Sequence, residues 1–119
     1  MHKPAAGFST DATGALRQVT AVFVDVVDFS KLAINADAEG LQDWLDRFYA
    51  KTCAIVEAHD GEVTEYLGDG VVALFGLMRA DELAATKAVN AALATLADFA
   101  SSKINGQSVE LRIGIATGN

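Results

Sequence analysis

Residues 62–76 read EVTEYLGDGVVALFG. A β-branched, alternating run and a continuous apolar run, VVALF, flank the cluster Gly68-Asp69-Gly70, whose residues suit a tight reversal. The segment therefore predicts a hairpin, with a strand over about 62–67 and its partner directly after Gly70. This hairpin decides between two architectures. A receiver-type doubly wound domain also ends an apolar strand on an acid, but it alternates five strands with helices and leaves no place for two adjacent antiparallel strands.

Before the hairpin, residues 19–26, VTAVFVDV, are nearly all apolar and rich in branched side chains, as in a central strand covered on both sides, and they close on Asp25. Leu41, Trp44, Leu45, Phe48, Thr52, Ile55 and Val56 follow at the spacing of an amphipathic helix. Asn35 or Asp37 is the expected cap, and the end falls near His59, where Asp60-Gly61 offers a residue tolerant of positive φ. After the hairpin, a second helix is expected from Asp81, with Ala85, Val89, Leu93, Leu96 and Ala100 as its core-facing stripe and Asp81 and Glu82 at its positive end. A last strand is expected over 109–116.

Strand, helix, strand, strand, helix, strand is the order of an α+β, ferredoxin-like βαββαβ sandwich: an antiparallel sheet with its helices on one face. Right-handed crossovers then give the strand order four, one, three, two. In that order the first strand ends beside the central hairpin turn, so Asp25 and Asp69 come together at one sheet edge. Taken singly, each has an ordinary reading, Asp25 as a strand end and Asp69 as a turn former. Taken together they form a carboxylate pair whose mutual repulsion a divalent cation would relieve. Magnesium fits best, since it accepts one or two carboxylates together with phosphate oxygens and water.

Composition agrees with one packed domain. The chain has 119 residues, 51% hydrophobic and 21% charged, with a formal net charge of −7, enough to bury roughly two thirds of its surface. The acidic balance opposes nucleic-acid and anionic-membrane partners. No stretch approaches the ~20 apolar residues of a membrane span, and the lone Cys53 cannot form an intramolecular disulfide; both fit a cytoplasmic segment. Residues 1–17, with Pro4, Gly7, Ser9, Thr10, Thr13 and Gly14, are expected to be a flexible linker preceding the domain at 18–119.

Three stretches carry a resemblance. RQVTAVFVDVVDFSKL (17–32), EYLGDGVVALFG (65–76) and LRIGIATGN (111–119) resemble, in order and spacing, the opening strand, central hairpin and fourth strand of class III adenylate and guanylate cyclases. The resemblance implies a head-to-tail homodimer that converts ATP or GTP to a 3′,5′-cyclic monophosphate and pyrophosphate, with two Mg2+ or Mn2+ ions per site. Asp25 and Asp69 stand at the family's metal-binding aspartates, and the Val26 carbonyl at a further metal contact. The amides of Val27, Asp28, Phe29 and Ser30 stand at its triphosphate cradle. One metal would ease deprotonation of the ribose 3′-hydroxyl, and both would neutralise the phosphates during in-line attack on the α-phosphorus.

The chain departs from the family pattern at four points. Asp28 stands where many members have Gly, close to the expected triphosphate. Leu77-Met78 stands where Pro is common. Glu65 occupies a base-reading position that is usually Lys in adenylate cyclases and resembles the Glu of guanylate cyclases; a carboxylate accepts hydrogen bonds from guanine N1 and N2. Val63, Glu65 and Leu67 are expected to share a strand face. The family's frequency keeps ATP as the first expected substrate, with GTP beside it. The transition-state Asn and Arg, the second base-reading residue and a triphosphate Lys are expected beyond Asn119, so residues 1–119 alone are not expected to turn over.

The remaining polar residues have simpler readings. His59 is expected at a helix end, His2 in the linker, and Trp44, Phe48 and Cys53 in or against the core. The Gly-rich hairpin lacks a Walker ending, and neither a Ser-His-Asp set nor a CxxC can be assembled. The alternative to an enzyme is a non-catalytic regulatory module that keeps the cyclase fold for dimerisation or nucleotide sensing.

Overall fold

A computed structural model describes residues 8–10, 16–34 and 36–119. Its elements are β1 (Phe8–Thr10), β2 (Leu16–Val26), α1 (Phe29–Ile34), α2 (Ala38–Ala58), β3 (Gly61–Tyr66), β4 (Gly70–Phe75), α3 (Ala84–Asp98), β5 (Lys103–Ile104), β6 (Gln107–Ser108) and β7 (Leu111–Gly118). β7, β2, β4 and β3 lie side by side, every neighbouring pair antiparallel. This is the expected order of the four principal strands, and the architecture is the α+β antiparallel sandwich. The last strand runs two residues later than expected at each end, Leu111–Gly118.

β2 is the spine. Its residues from Thr20 pair with β4 and from Val19 with β7. Residues 16–18 project beyond both neighbours, and β1 satisfies them, Phe8 opposite Gln18 and Thr10 opposite Leu16. The expected linker over 1–17 thus includes paired strand at 8–10 and 16–17; residues 1–7 and 11–15 lie outside the described residues, as does Asn35.

Alternation divides β2 between two faces. Val22, Val24 and Val26 join Val71, Ala73 and Phe75 of β4 beneath the helices, in one core with Trp44, Phe48 and Val56 of α2 and Ala84, Ala88 and Ala91 of α3. Val19, Ala21 and Leu74 form a smaller cluster on the opposite face, with Leu77 packed against it. The predicted stripe of α2 is correct: Trp44, Phe48, Thr52 and Val56 are buried, and Leu41, Leu45 and Ile55 pack against the core. Trp44 stacks on Phe48 at 5.2 Å, and Phe99 meets Phe48 edge-on at 5.5 Å. Asp37 caps α2 by accepting the Gly40 N–H. At the other end Asp60, not Gly61, takes the left-handed conformation, φ 65°. Gly61 is needed for space, because a Cβ there would stand 2.4 Å from the buried Phe75 ring.

The expected stripe of α3 is wrong. The helix starts at Ala84 rather than Asp81 and buries Ala84, Ala88, Ala91, Ala92 and Thr95. Val89, Leu93 and Leu96 remain 44%, 59% and 42% exposed. Both stripes have helical spacing, so periodicity alone does not choose between them. Small side chains let this short helix lie close against β2 and β7, and larger ones would hold it away. Asp81 still supports the helix entry, accepting the Leu83 N–H at 2.9 Å. Lys87 donates to both Asp81 (2.7 Å) and Asp60 (2.8 Å), tying α3 to the α2–β3 corner.

Two stability outcomes follow from these contacts. Gly61→Ala is expected to cost about 1–3 kcal/mol by overpacking against Phe75, read as a lower urea midpoint with an unchanged m-value. The Lys87 bridge has a defined pH window. Asp81 is held below its ordinary value of 3.8, first by the hydrogen bond from Lys87. Lys87 is held above its ordinary 10.5, first by its bond to Asp60. The lowered acid stabilises the fold fully above 3.8 and loses that contribution as pH falls through its folded value; the raised base does so below 10.5 and loses it as pH rises through its own. The stability difference between wild type and Lys87→Met, measured by urea unfolding, should therefore stay level between those limits and shrink outside them.

Candidate functional site

The site lies on the sheet face opposite the helices. Asp25, near the end of β2, sits between Gly70 of β4 and Arg112 of β7. Asp69 is in the turn immediately before Gly70, and its carbonyl accepts the Val26 N–H at 3.1 Å. The turn is closed by Leu67 N–H to the Gly70 carbonyl at 2.8 Å. The two acids that the sequence predicted to converge are thus carried by neighbouring backbone. Gly70 keeps the space beside them open, since a Cβ on it would meet the Val24 carbonyl at 3.0 Å and the Asp25 Cβ at 3.5 Å.

Arg112 is a member of this site that the sequence reading did not single out. Its Nε approaches Asp25 Oδ1 at 3.4 Å, with side chains 68% and 47% exposed. A pair this exposed contributes about 0–1 kcal/mol, so a better partner for either charge displaces it readily. The available signal was the antiparallel register, which puts the second residue of LRIGIATGN opposite Asp25. Among the described residues no group of three or more His, Cys, Asp or Glu gathers. Two carboxylates with nearby main-chain oxygens fit a hard cation that retains water and shares phosphate oxygens, as magnesium or manganese does, and do not fit a four-ligand zinc centre.

Of the four amides expected to cradle an anion, one has a main-chain partner in the structure. The Val27 amide is engaged by the Glu110 carbonyl at 2.8 Å, one step beyond the last paired residues of β2 and β7, Val26 and Leu111. The amides of Asp28, Phe29 and Ser30 precede the first donor within α1, Lys31 N–H to the Asp28 carbonyl. Asp28 is exposed and holds φ at 53°, a left-handed conformation that Asp tolerates and Gly adopts freely. Phe29 packs against the core and Ser30 is exposed. An open cleft of about 540 Å³ adjoins this turn, lined by Asp28, Lys31, Gln107 and Glu110 among others.

Glu65 reaches the site by an irregularity that alternation did not foresee. Val63 pairs with Ala73, but Glu65 pairs with Val72, with a bulge at Thr64 between them. Val63 therefore packs on the helix side, while Glu65 falls on the same face as Val72, Phe23 and Asp25. The expectation that Val63 and Glu65 share a face is corrected by this bulge. Glu65 is exposed on β3, and Phe23, 42% exposed, lies on β2 across Val72 from it.

Tyr49 of α2 and Tyr66 of β3 lie beside the turn. The Tyr49 hydroxyl of α2 donates to the Gly68 carbonyl, and the ring meets Tyr66 edge-on at 5.0 Å. Burial, followed by the charges of Asp69 and Asp46, raises the Tyr49 pKa. His59 caps the end of α2, its Nδ1 2.7 Å from the Ile55 carbonyl, away from the carboxylates. Cys53 is a free, half-buried thiol.

Comparison with known proteins agrees with the fold. The family described as "Adenylate and Guanylate cyclase catalytic domain" matches residues 12–119. The chain is 32% identical over 78 residues to adenylate cyclase 1 of Rhizobium meliloti, covering 66% of this chain and 12% of that protein. It is 27% identical over 109 residues to guanylate cyclase soluble subunit beta-2 of Rattus norvegicus, covering 90% and 16%. In fold it is similar to the guanylate cyclase domain of RhGC from Catenaria anguillulae, a structure in complex with GTP, with a TM-score of 0.80, 24% identity, and coverage of 86% of this chain and 57% of that one. The chain thus spans a small part of these relatives and somewhat over half of the solved domain. With the sheet order, the three sequence stretches and a match over residues 12–119, the chain belongs to the adenylate and guanylate cyclase catalytic domain family.

Proposed function

We propose that this chain supplies the metal-binding half of a cyclase site that converts a purine nucleoside triphosphate to its 3′,5′-cyclic monophosphate and pyrophosphate. The observation that carries the reading is the junction of β2 and β4, where Asp25 lies against Gly70 and the Val26 N–H holds the Asp69 carbonyl. Asp25, Asp69 and the Val26 carbonyl would hold two Mg2+ or Mn2+ ions. Those ions would make the ribose 3′-hydroxyl more acidic and neutralise charge on the phosphates.

The chain's own groups do the remaining positioning. Asp25 would hold the cation in place of its exposed pair with Arg112, whose guanidinium would then be available to the triphosphate without a buried charge left unpaired. The Asp28, Phe29 and Ser30 amides point donors at the same anion, while the Asp28 carboxylate opposes it. Glu65 would read the base from the open face, above the strip formed by Phe23 and Val72. A carboxylate accepts from both guanine N1–H and the 2-amino group, so its presence there favours GTP over the ATP expected from family frequency. A head-to-tail homodimer of the full-length protein across this open face is part of the same reading.

The same reading places the domain in the cytoplasm, where nucleoside triphosphates and an unpaired thiol such as Cys53 are both at home. No helix among the described residues is long and apolar enough to cross a membrane.

The full-length natural protein with Mn2+ is expected to cyclise GTP faster than ATP. Asp25→Ala and Asp69→Ala should each lower product formation by at least about 100-fold, the loss expected when a principal electrostatic stabiliser is removed. Glu65→Lys should lower the GTP-to-ATP ratio of kcat/KM by at least about tenfold. Absence of product with either nucleotide from a folded dimer would instead support a regulatory module.

A further inference from the structure

We infer that Tyr49 is a positioning residue for the proposed metal site, fixing through its hydroxyl the direction in which the hairpin turn presents Asp69. This inference rests on the cyclase reading above. Two peptide units flank the Asp69 Cα. The unit on its C-terminal side is held by β2, because the Asp69 carbonyl accepts the Val26 N–H at 3.1 Å. The unit on its N-terminal side is held by α2, because the Gly68 carbonyl accepts the Tyr49 hydroxyl. With both peptide planes tied, the φ and ψ of Asp69 are set, and so is the direction of its Cα–Cβ bond.

The N-terminal plane is the one that most needs holding. Gly68 sits at φ 69°, and a Cβ on it would meet nothing within 4 Å, so neither sterics nor packing restrains the turn there. Tyr49 is restrained on its own side by its helix and by ring contacts with Phe48 at 5.8 Å and Tyr66 at 5.0 Å. A half-buried tyrosine thus carries the rigidity of α2 to a glycine turn. Geometry held by supporting groups rather than by the ligands themselves is what a cation demanding regular coordination requires.

The test compares the full-length natural protein with Tyr49→Phe, which keeps the ring and removes only the hydroxyl, and with Asp69→Asn. Mn2+ affinity is read from the free-ion EPR signal, alongside the Mn2+ concentration for half-maximal cyclisation, the nucleotide KM at saturating Mn2+, and the thermal midpoint. Loss of one hydrogen bond that orders a ligand should weaken Mn2+ binding by roughly two- to tenfold in Tyr49→Phe. The half-maximal Mn2+ concentration should rise in step, with nucleotide KM and thermal midpoint unchanged. Unchanged Mn2+ affinity in Tyr49→Phe, with or without a lower thermal midpoint, while Asp69→Asn abolishes binding, would overturn the role of Tyr49 and leave the metal site standing. Unchanged affinity in Asp69→Asn would overturn the metal site itself.

Discussion

The antiparallel pairing of β2 with β4, which sets Asp25 against Gly70, is the constraint on which the rest of the site depends. It brings together two acids 44 positions apart in the chain, at Asp25 and Asp69. It also aligns the Val26 amide with the Asp69 carbonyl and leaves a glycine-sized gap beside the Asp25 side chain. Neither acid is placed by its own contacts. Both follow from a strand that is apolar enough to be central and a hairpin whose turn falls opposite its end. The core beneath, Phe48 and Phe75 against the valines of β2, supplies the burial that holds this register, because a slip of one residue would carry Asp25 to the helix side and the valines to solvent.

The two faces of the sheet have separate tasks. The helix face is closed by aromatic residues of α2 and alanines of α3, and its side chains are committed to packing. On the opposite face Val19, Ala21, Val72 and Leu74 are buried, while Phe23, Glu65 and Arg112 are exposed and Asp25 is half-buried. Polar chemistry is therefore confined to the face that packing does not require. The hairpin serves both faces, since β4 buries Val71, Ala73 and Phe75 below while its turn presents Asp69 at the edge.

Much of this was legible in the sequence. The apolar run at 19–26, the stripe of α2 and the glycine turn each obey a single local rule, and the crossover rule then fixed the strand order and the convergence of Asp25 with Asp69. What was not legible depended on choices between equally periodic patterns or on single-residue irregularities. In α3 the alanine and leucine stripes have the same spacing, and only the closeness of β2 and β7 selects the alanines. The bulge at Thr64 reverses the face of Glu65, which strict alternation had joined to Val63. The Val27 amide is claimed by Glu110, just before β7, a long-range contact with no local signal. Arg112 was hidden for a different reason: its significance is its register partner, and that partner is 87 residues away.

On the proposed function, Asp25 and Asp69 would share a divalent cation on the open sheet face. The most direct measurement is the anomalous scattering of Mn2+ in crystals of the full-length protein grown with a non-hydrolysable nucleoside triphosphate analogue. The expected result is an anomalous peak beside the Asp25 and Asp69 carboxylates, with Arg112 turned from Asp25 toward the phosphates. A peak bound by neither carboxylate, or an Asp25–Arg112 pair left intact beneath a bound nucleotide, would contradict it.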